Sequence, residues 1–187
     1  MARKLVEWGD IKTPMPMIKL DREHNERTFV LTQDERDLLL AAALKDSNTY
    51  IWLFIKLGLG TGMRHSEILS TRFEHFDPIR RRLGVKVKGG RWREQPLPRE
   101  IVTILERERS MAEDPNGWVF PSNLTKTGHM THMDGAFGRC VVRAKLDPKR
   151  VIPHTMRHTA ITLFARTGAD VATVKAYSGH KSLQMVM

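Results

Sequence analysis

The sequence predicts a mainly helical α+β domain with one small antiparallel β-sheet, and three observations predict it. Most of the chain repeats apolar residues every three or four positions, the period of a helix with one buried face. One stretch, residues 83–97, instead alternates around Gly89-Gly90, which is the period and the turn of a β-hairpin. The third observation is size. A chain of 187 residues, 41% hydrophobic and 28% charged, suffices for one sizeable core and leaves little for a second domain.

Residues 1–27 carry Pro14 and Pro16, dispersed charges and no helical period, so they read as a linker or arm, with the domain proper over residues 28–187. A first helix is predicted over 31–44: Thr32 with Glu35 three residues later makes a capping box, and Leu38, Leu39, Ala42 and Ala43 form the apolar stripe. A second helix, starting at Tyr50, is expected to break at Gly58, Gly60 and Gly62, because glycine is a poor helix former; a third resumes near Met63 and runs through Leu69. In the hairpin, Leu83, Val85 and Val87 share one face and Lys86 and Lys88 the other, and the return strand 91–97 ends at Pro98. Helix 99–111 follows, with Ile101, Ile104 and Leu105 inward, and then a short buried segment, Trp118-Val119-Phe120-Pro121. Phe137, Cys140, Val141 and Ala144 mark a helix over 131–146. Beyond Asp147-Pro148 and Ile152-Pro153 a helix opens at His154 and stops at Thr167-Gly168; a last short one, 171–177, ends at Gly179.

Charge narrows the function classes. Lys and Arg number 31 against 21 Asp and Glu, a net charge of +10, which favours a polyanionic partner, nucleic acid first. Cys140 is the one thiol, so an intrachain disulfide and a CxxC zinc pair are both excluded, and a reducing, cytoplasmic setting is expected. The longest apolar stretch, 50–59, is interrupted by Lys56 and is too short to span a bilayer; Glu7, Asp10 and Lys12 replace the apolar core of a signal peptide.

Several basic or imidazole groups stand at structural punctuation points. Arg64 follows Thr61-Gly62 at a helix start, where backbone N–H groups favour a phosphate, with Glu67 placed to orient its guanidinium; a plain surface ion pair is the alternative. Lys88 ends a strand before the Gly-Gly turn, as a mobile proton donor or as an edge charge that blocks aggregation. His154 and Arg157 lie one turn apart after Pro153, able to meet one anion or to form a polar first turn. His180 follows a helix-ending glycine, where a lone histidine is usually structural.

Taken together these boxes resemble those of the tyrosine recombinases of the phage-integrase type. Thr61-Gly62-Met63-Arg64-His65-Ser66-Glu67-Ile68-Leu69 resembles the first arginine box of that family, and Pro96-Leu97 resembles its V-P-L strand end. His154-Thr155-Met156-Arg157-His158-Thr159 is similar to the H-x-L-R-H-T box, with Met for Leu; Ser178-Gly179-His180 is similar to L-G-H, with Ser for Leu. The resemblance covers about residue 29 to the end and implies the DNA breaking-rejoining fold and double-stranded DNA as partner. It implies that Arg64 and Arg157 clamp the scissile phosphate, Lys88 protonates the leaving 5'-oxygen, His154 helps deprotonate a tyrosine and His180 bonds a non-bridging oxygen, with Glu67 and His158 in support. Transesterification of this kind conserves the ester energy in a 3'-phosphotyrosyl bond, so neither a metal nor another cofactor is implied. The basic face expected on DNA comprises Lys86, Arg91, Arg93, Lys175 and Lys181, and the family implies tetramers on DNA in the full-length protein.

One departure stands against these matches. The family's tyrosine lies nine positions after the histidine that matches His180, two positions past Met187, so this chain is expected to bind DNA without cleaving it. Tyr50 and Tyr177 match no motif position. The rival readings are a non-catalytic DNA-binding regulator or decayed recombinase, and a type IB topoisomerase. A zinc hydrolase built on His129, His132, His154 or His158 lacks an HExxH motif, and the Gly58-Leu59-Gly60-Thr61-Gly62 run lacks the GK[ST] ending of a nucleotide loop.

Overall fold

The structure, a computed structural model, describes residues 29–87 and 89–179; the predicted arm, Lys88, His180 and Lys181 lie outside them. Helix α1 (Gln33–Ala43) opens with the expected capping box: Thr32 Oγ1 accepts from the Glu35 N–H and the Glu35 carboxylate accepts from the Thr32 N–H at 2.8 Å. Leu39, Ala42 and Ala43 turn inward as predicted, but Leu38 is exposed, one position off the buried stripe.

Helix α2 (Ile51–Thr61) corrects the glycine reading. It continues through Gly58 and Gly60 and stops only at Gly62, which takes the left-handed φ of 63°. The two internal glycines are there for close approach: a Cβ on Gly58 would lie 2.9 Å from Met156 Cε, and one on Gly60 2.8 Å from Ile101 Cδ1. Packing against two other helices outweighs the ~1 kcal/mol that each glycine costs in helix propensity. With Ile51, Phe54, Ile55 and Leu57 all buried, α2 is the central helix of the core.

Helix α3 (His65–Leu69) begins two residues later than expected, because Gly62 and the extended Arg64 lie between the two helices. A 3-10 turn, Phe73–His75, leads into an antiparallel sheet of β1 (Phe76–Asp77), β2 (Arg82–Lys86) and β3 (Trp92–Pro96), in that order. The predicted hairpin is β2 with β3, paired Leu83 to Gln95 and Val85 to Arg93; the two-residue β1 is too short to carry a period. Helix α4 (Arg99–Met111) buries Ile101, Val102 and Leu105, and Val119 and Phe120 are buried after it. Helix α5 (Asp134–Arg143) starts three residues later than expected, with the buried Met133 at its cap.

Helix α6 (Pro153–Arg166) has proline at its first position, where the missing N–H costs nothing, and packs along α2. Its buried Thr159 hydroxyl accepts from the Leu31 N–H at 3.0 Å, which fastens the start of the domain to this helix. Helix α7 (Val171–Ser178) is capped by Asp170, runs one residue past the expected end and stops at Gly179, φ 65°.

Candidate DNA phosphate site

Four boxes distant in sequence converge where α2 ends, α3 and α6 begin, α7 ends and β3 passes beneath. The keystone is Arg157. It is 3% exposed, and it donates to the carbonyls of Gly62 at 2.6 Å and Ser178 at 2.7 Å. Those carbonyls close α2 and α7, so one planar guanidinium fork fastens two helix ends. Burial, reinforced by the nearby charge of Arg64, brings its pKa down to about 10, which leaves it charged at neutral pH.

Arg64 and Glu67 form more than a surface pair. Glu67 is buried and accepts from Arg64 Nη1 at 2.9 Å and from the Arg64 backbone N–H at 3.0 Å. That second bond occupies an N–H the sequence reading left open to a phosphate, so at α3 the side chains, not the helix terminus, carry the anion-binding capacity. Glu67 also accepts from Arg93 Nη2 at 3.0 Å. Burial pushes the Glu67 carboxyl up, but the Arg64 N–H, the Arg93 charge and the guanidinium hydrogen bonds outweigh it and hold the carboxyl below its ordinary value. Arg64 remains 41% exposed. Two guanidiniums therefore share one carboxylate, a third, Arg157, lies near enough to feel its charge, and part of the surplus positive charge is exposed at Arg64.

His154 sits on the rim at the second position of α6, solvent-accessible, with its ring edge-to-face against His158 at 4.5 Å. Desolvation, then the charges of Arg157 and Arg64, lower the His154 pKa; desolvation, then His154 and Arg157, lower that of His158. Both are kept neutral near pH 7, so each has a ring nitrogen able to take a proton. His65, of the first arginine box, turns instead against Phe54, ring centroids 5.1 Å apart.

The structure thus brings together Arg64, Glu67, His154, Arg157 and His158. Lys88 and His180, the remaining catalytic expectations, lie outside the described residues. Of the expected DNA-binding cations, Lys86 and Arg91 are exposed and Lys175 half-buried; Arg93 lies beneath the cluster, its side chain 15% exposed. Sequence reasoning missed the inward role of Arg93. A signal existed, since residues 93, 95 and 97 share one strand face and Leu97 is an obvious core residue.

Tyr177 is buried against Phe164, its hydroxyl donating to the Gly60 carbonyl at 2.9 Å, and burial raises its pKa strongly; this is a packing role. Tyr50 caps α2 and meets Phe120 edge-to-face. Among the described residues no group of three or more His, Cys, Asp or Glu is arranged to hold a metal ion, and no helix is long and apolar enough to cross a membrane.

The phage integrase family profile matches residues 29–187. The chain is 30% identical over 187 residues to a shufflon-specific DNA recombinase of Escherichia coli, an alignment covering 97% of this chain and 45% of that protein. It is 31% identical over 173 residues to a tyrosine recombinase of Thermosipho africanus, covering 92% and 60%. It therefore spans about half the length of the curated relatives it matches. Among solved structures, the XerA recombinase superposes with a TM-score of 0.69 at 24% identity, over 84% of this chain and 58% of that one. The Tn1549 transposon integrase, solved in complex with transposon right end DNA, gives 0.72 at 20% identity over 99% and 70%.

Proposed function

The chain belongs to the phage integrase family and has the fold of tyrosine-recombinase catalytic domains, and on that premise we propose that it is the DNA-cutting region of a site-specific recombinase or integrase that breaks and rejoins double-stranded DNA through a 3'-phosphotyrosyl intermediate. The observation that carries the reading is the seating of Arg157 and Arg64. Each guanidinium is fixed by protein groups, Arg157 by two helix-end carbonyls and Arg64 by Glu67, before any ligand arrives.

Attack on a phosphodiester spreads charge over the non-bridging oxygens, and preorganised cations stabilise that charge without reorganising at the moment of reaction. Arg64 and Arg157 are placed for this, and a guanidinium offers two parallel donors to a phosphate. His154, neutral beside two cations, takes the proton of the nucleophile, and His158 packs behind it. Lys88 delivers a proton to the departing 5'-oxygen and His180 bonds a non-bridging oxygen. The nucleophile is a tyrosine encoded two positions past Met187. The duplex is gripped by Lys86, Arg91, Lys175 and Lys181, and active complexes are tetramers on DNA.

The experiment is to read the source frame beyond Met187, express the longer chain, and incubate it with plasmid carrying the flanking sequences of its own gene. A tyrosine at that position and a detergent-stable protein–DNA adduct, lost in Arg64→Ala by about 100-fold or more, are expected. A frame that stops or encodes another residue there, with no adduct, overturns the enzymatic reading in favour of a DNA-binding regulator. Relaxation of supercoils without joining of two sites would instead mark a type IB topoisomerase.

A further inference from the structure

Arg93 stands in sequence between Lys88 and Pro96-Leu97, yet it touches two boxes far from it along the chain, those of Glu67 and Gly179. It stands on β3 opposite Val85, on the strand face that also holds Gln95, which is fully buried. One Nη donates to Glu67 at 3.0 Å, the same carboxylate that holds Arg64. The other Nη donates to the Gln95 side-chain carbonyl, while the Gln95 amide donates to the Thr61 carbonyl at 3.1 Å, at the end of α2. On its third side lies Gly179: a Cβ built there would sit 2.9 Å from Arg93 Nε and 3.0 Å from Cζ. The Nε itself is buried with no hydrogen-bond partner among the described residues.

From this arrangement we infer that Arg93 is a positioning residue for the phosphate site, holding Glu67, and through it Arg64, in register with the Gly179 turn that precedes His180. The inference rests on the proposed function for what Arg64 does, but not for how Arg64 is held. Each Nη donates to a protein partner and the side chain is 15% exposed, so the guanidinium is held inward, on Glu67 and Gln95, rather than presented to a phosphate. A lysine is no substitute, since one ammonium lacks the fork that spans Glu67 and Gln95 together. Glycine at 179 follows from the same packing: its backbone closes directly on the guanidinium, and its φ of 65° suits a residue without a Cβ.

Two measurements on the 187-residue chain test this, with Arg93→Met and the charge-keeping Arg93→Lys. The first is the salt dependence of binding to a mixed-sequence DNA duplex. A positioning role predicts about tenfold weaker binding in both variants with the log-log slope unchanged, because no phosphate contact is lost. A direct contact predicts a slope smaller by about 0.9 in Arg93→Met and recovery in Arg93→Lys, and that result overturns the inference. The second needs no DNA: the NMR signal of the Arg64 Nη–H that bonds Glu67 is expected to move toward that of a free arginine in both variants. An Arg64 signal left at its wild-type position in Arg93→Lys overturns the inference even if the duplex does not bind, whereas absent binding with a displaced signal counts only against the proposed function. If Arg93→Met fails to fold, Arg93→Lys carries both readouts.

Discussion

The carboxylate of Asp46 sits between Arg139 and Arg143 much as that of Glu67 sits between Arg64 and Arg93. Arg139 grips Asp46 through both oxygens, at 3.0 and 2.7 Å, and Arg143 reaches it at 3.3 Å while also donating to the Ala42 carbonyl. These bonds tie the turn after α1 to α5. Both guanidiniums stand partly in solvent, 51% and 38% exposed, and the result is a clasp. At Glu67 a third guanidinium, Arg157, adds its charge, two imidazoles stay neutral, and Arg64 keeps an exposed side. An arginine-carboxylate pair therefore says little by itself. Surplus positive charge fixed by burial, from Arg157 and Arg93 beside the exposed Arg64, is what separates the proposed phosphate site from a clasp.

Removing the fixed surplus gives the largest expected effect. In Arg157→Met the Gly62 and Ser178 carbonyls lose a charged donor inside the protein, and stability is expected to fall by about 3 kcal/mol, measured by urea unfolding. Binding to duplex DNA falls with it. A variant as stable as the wild type would show that Arg157 does not fasten α2 to α7, and the contrast with the clasp would lose its main support.

Exchanging the two carboxylates for their amides sharpens the contrast at an intermediate size. Asp46→Asn is expected to cost about 1 kcal/mol, because both arginines are largely solvated, and to leave DNA binding unchanged. Glu67→Gln is expected to cost about 2 kcal/mol and to change binding as well, since it frees Arg64. The Arg139 hydrogen bond, helped by the Asn48 N–H, holds the Asp46 carboxyl well below its ordinary value against the opposing effect of burial. A depressed carboxyl stabilises the fold above its unfolded pKa and loses that contribution as pH falls through the folded one. Acid unfolding below about pH 4 should therefore be shallower in Asp46→Asn than in the wild type. Equal loss of DNA affinity in the two amide variants would erase the distinction between site and clasp.

How far the sequence reveals these features depends on where each cause lies. The capping box of α1 is local, so Thr32 and Glu35 announce it. Gly58 and Gly60 suggest helix breaks to any local reading, because the reason for them, Met156 and Ile101, lies far along the chain. Arg64, Glu67, His154 and Arg157 are legible as members of spaced boxes, and the fold assembles them. That Arg157 reaches Ser178, or that Arg93 supports Glu67, follows only from the packing of α7 and β3 against α3 and α6. The strand phase of Gln95 and Leu97 was the one local hint that Arg93 faces inward.

The smallest effect is a pH dependence that the clasp has no means to produce. Desolvation and the charges of Arg157 and Arg64 depress the His154 pKa, and desolvation, then His154 and Arg157, depress that of His158. Folding therefore favours the neutral rings, and acidification below about pH 6.5 disfavours the folded state because the unfolded chain takes up more protons. A bound phosphate reverses the local field and raises both values, so DNA binding takes up protons. At constant ionic strength the affinity for a mixed-sequence duplex should rise by about threefold from pH 8 to pH 6, and the rise should flatten in the double variant His154→Gln, His158→Gln. Fluorescence anisotropy gives the affinities, and ring-proton NMR of the free chain should place both histidines below 6.5. If they titrate at or above that value, or if Asp46→Asn flattens the pH profile as fully as the histidine variant does, the charge surplus around Arg157 is not felt at the rim, and the site differs from the clasp in shape alone.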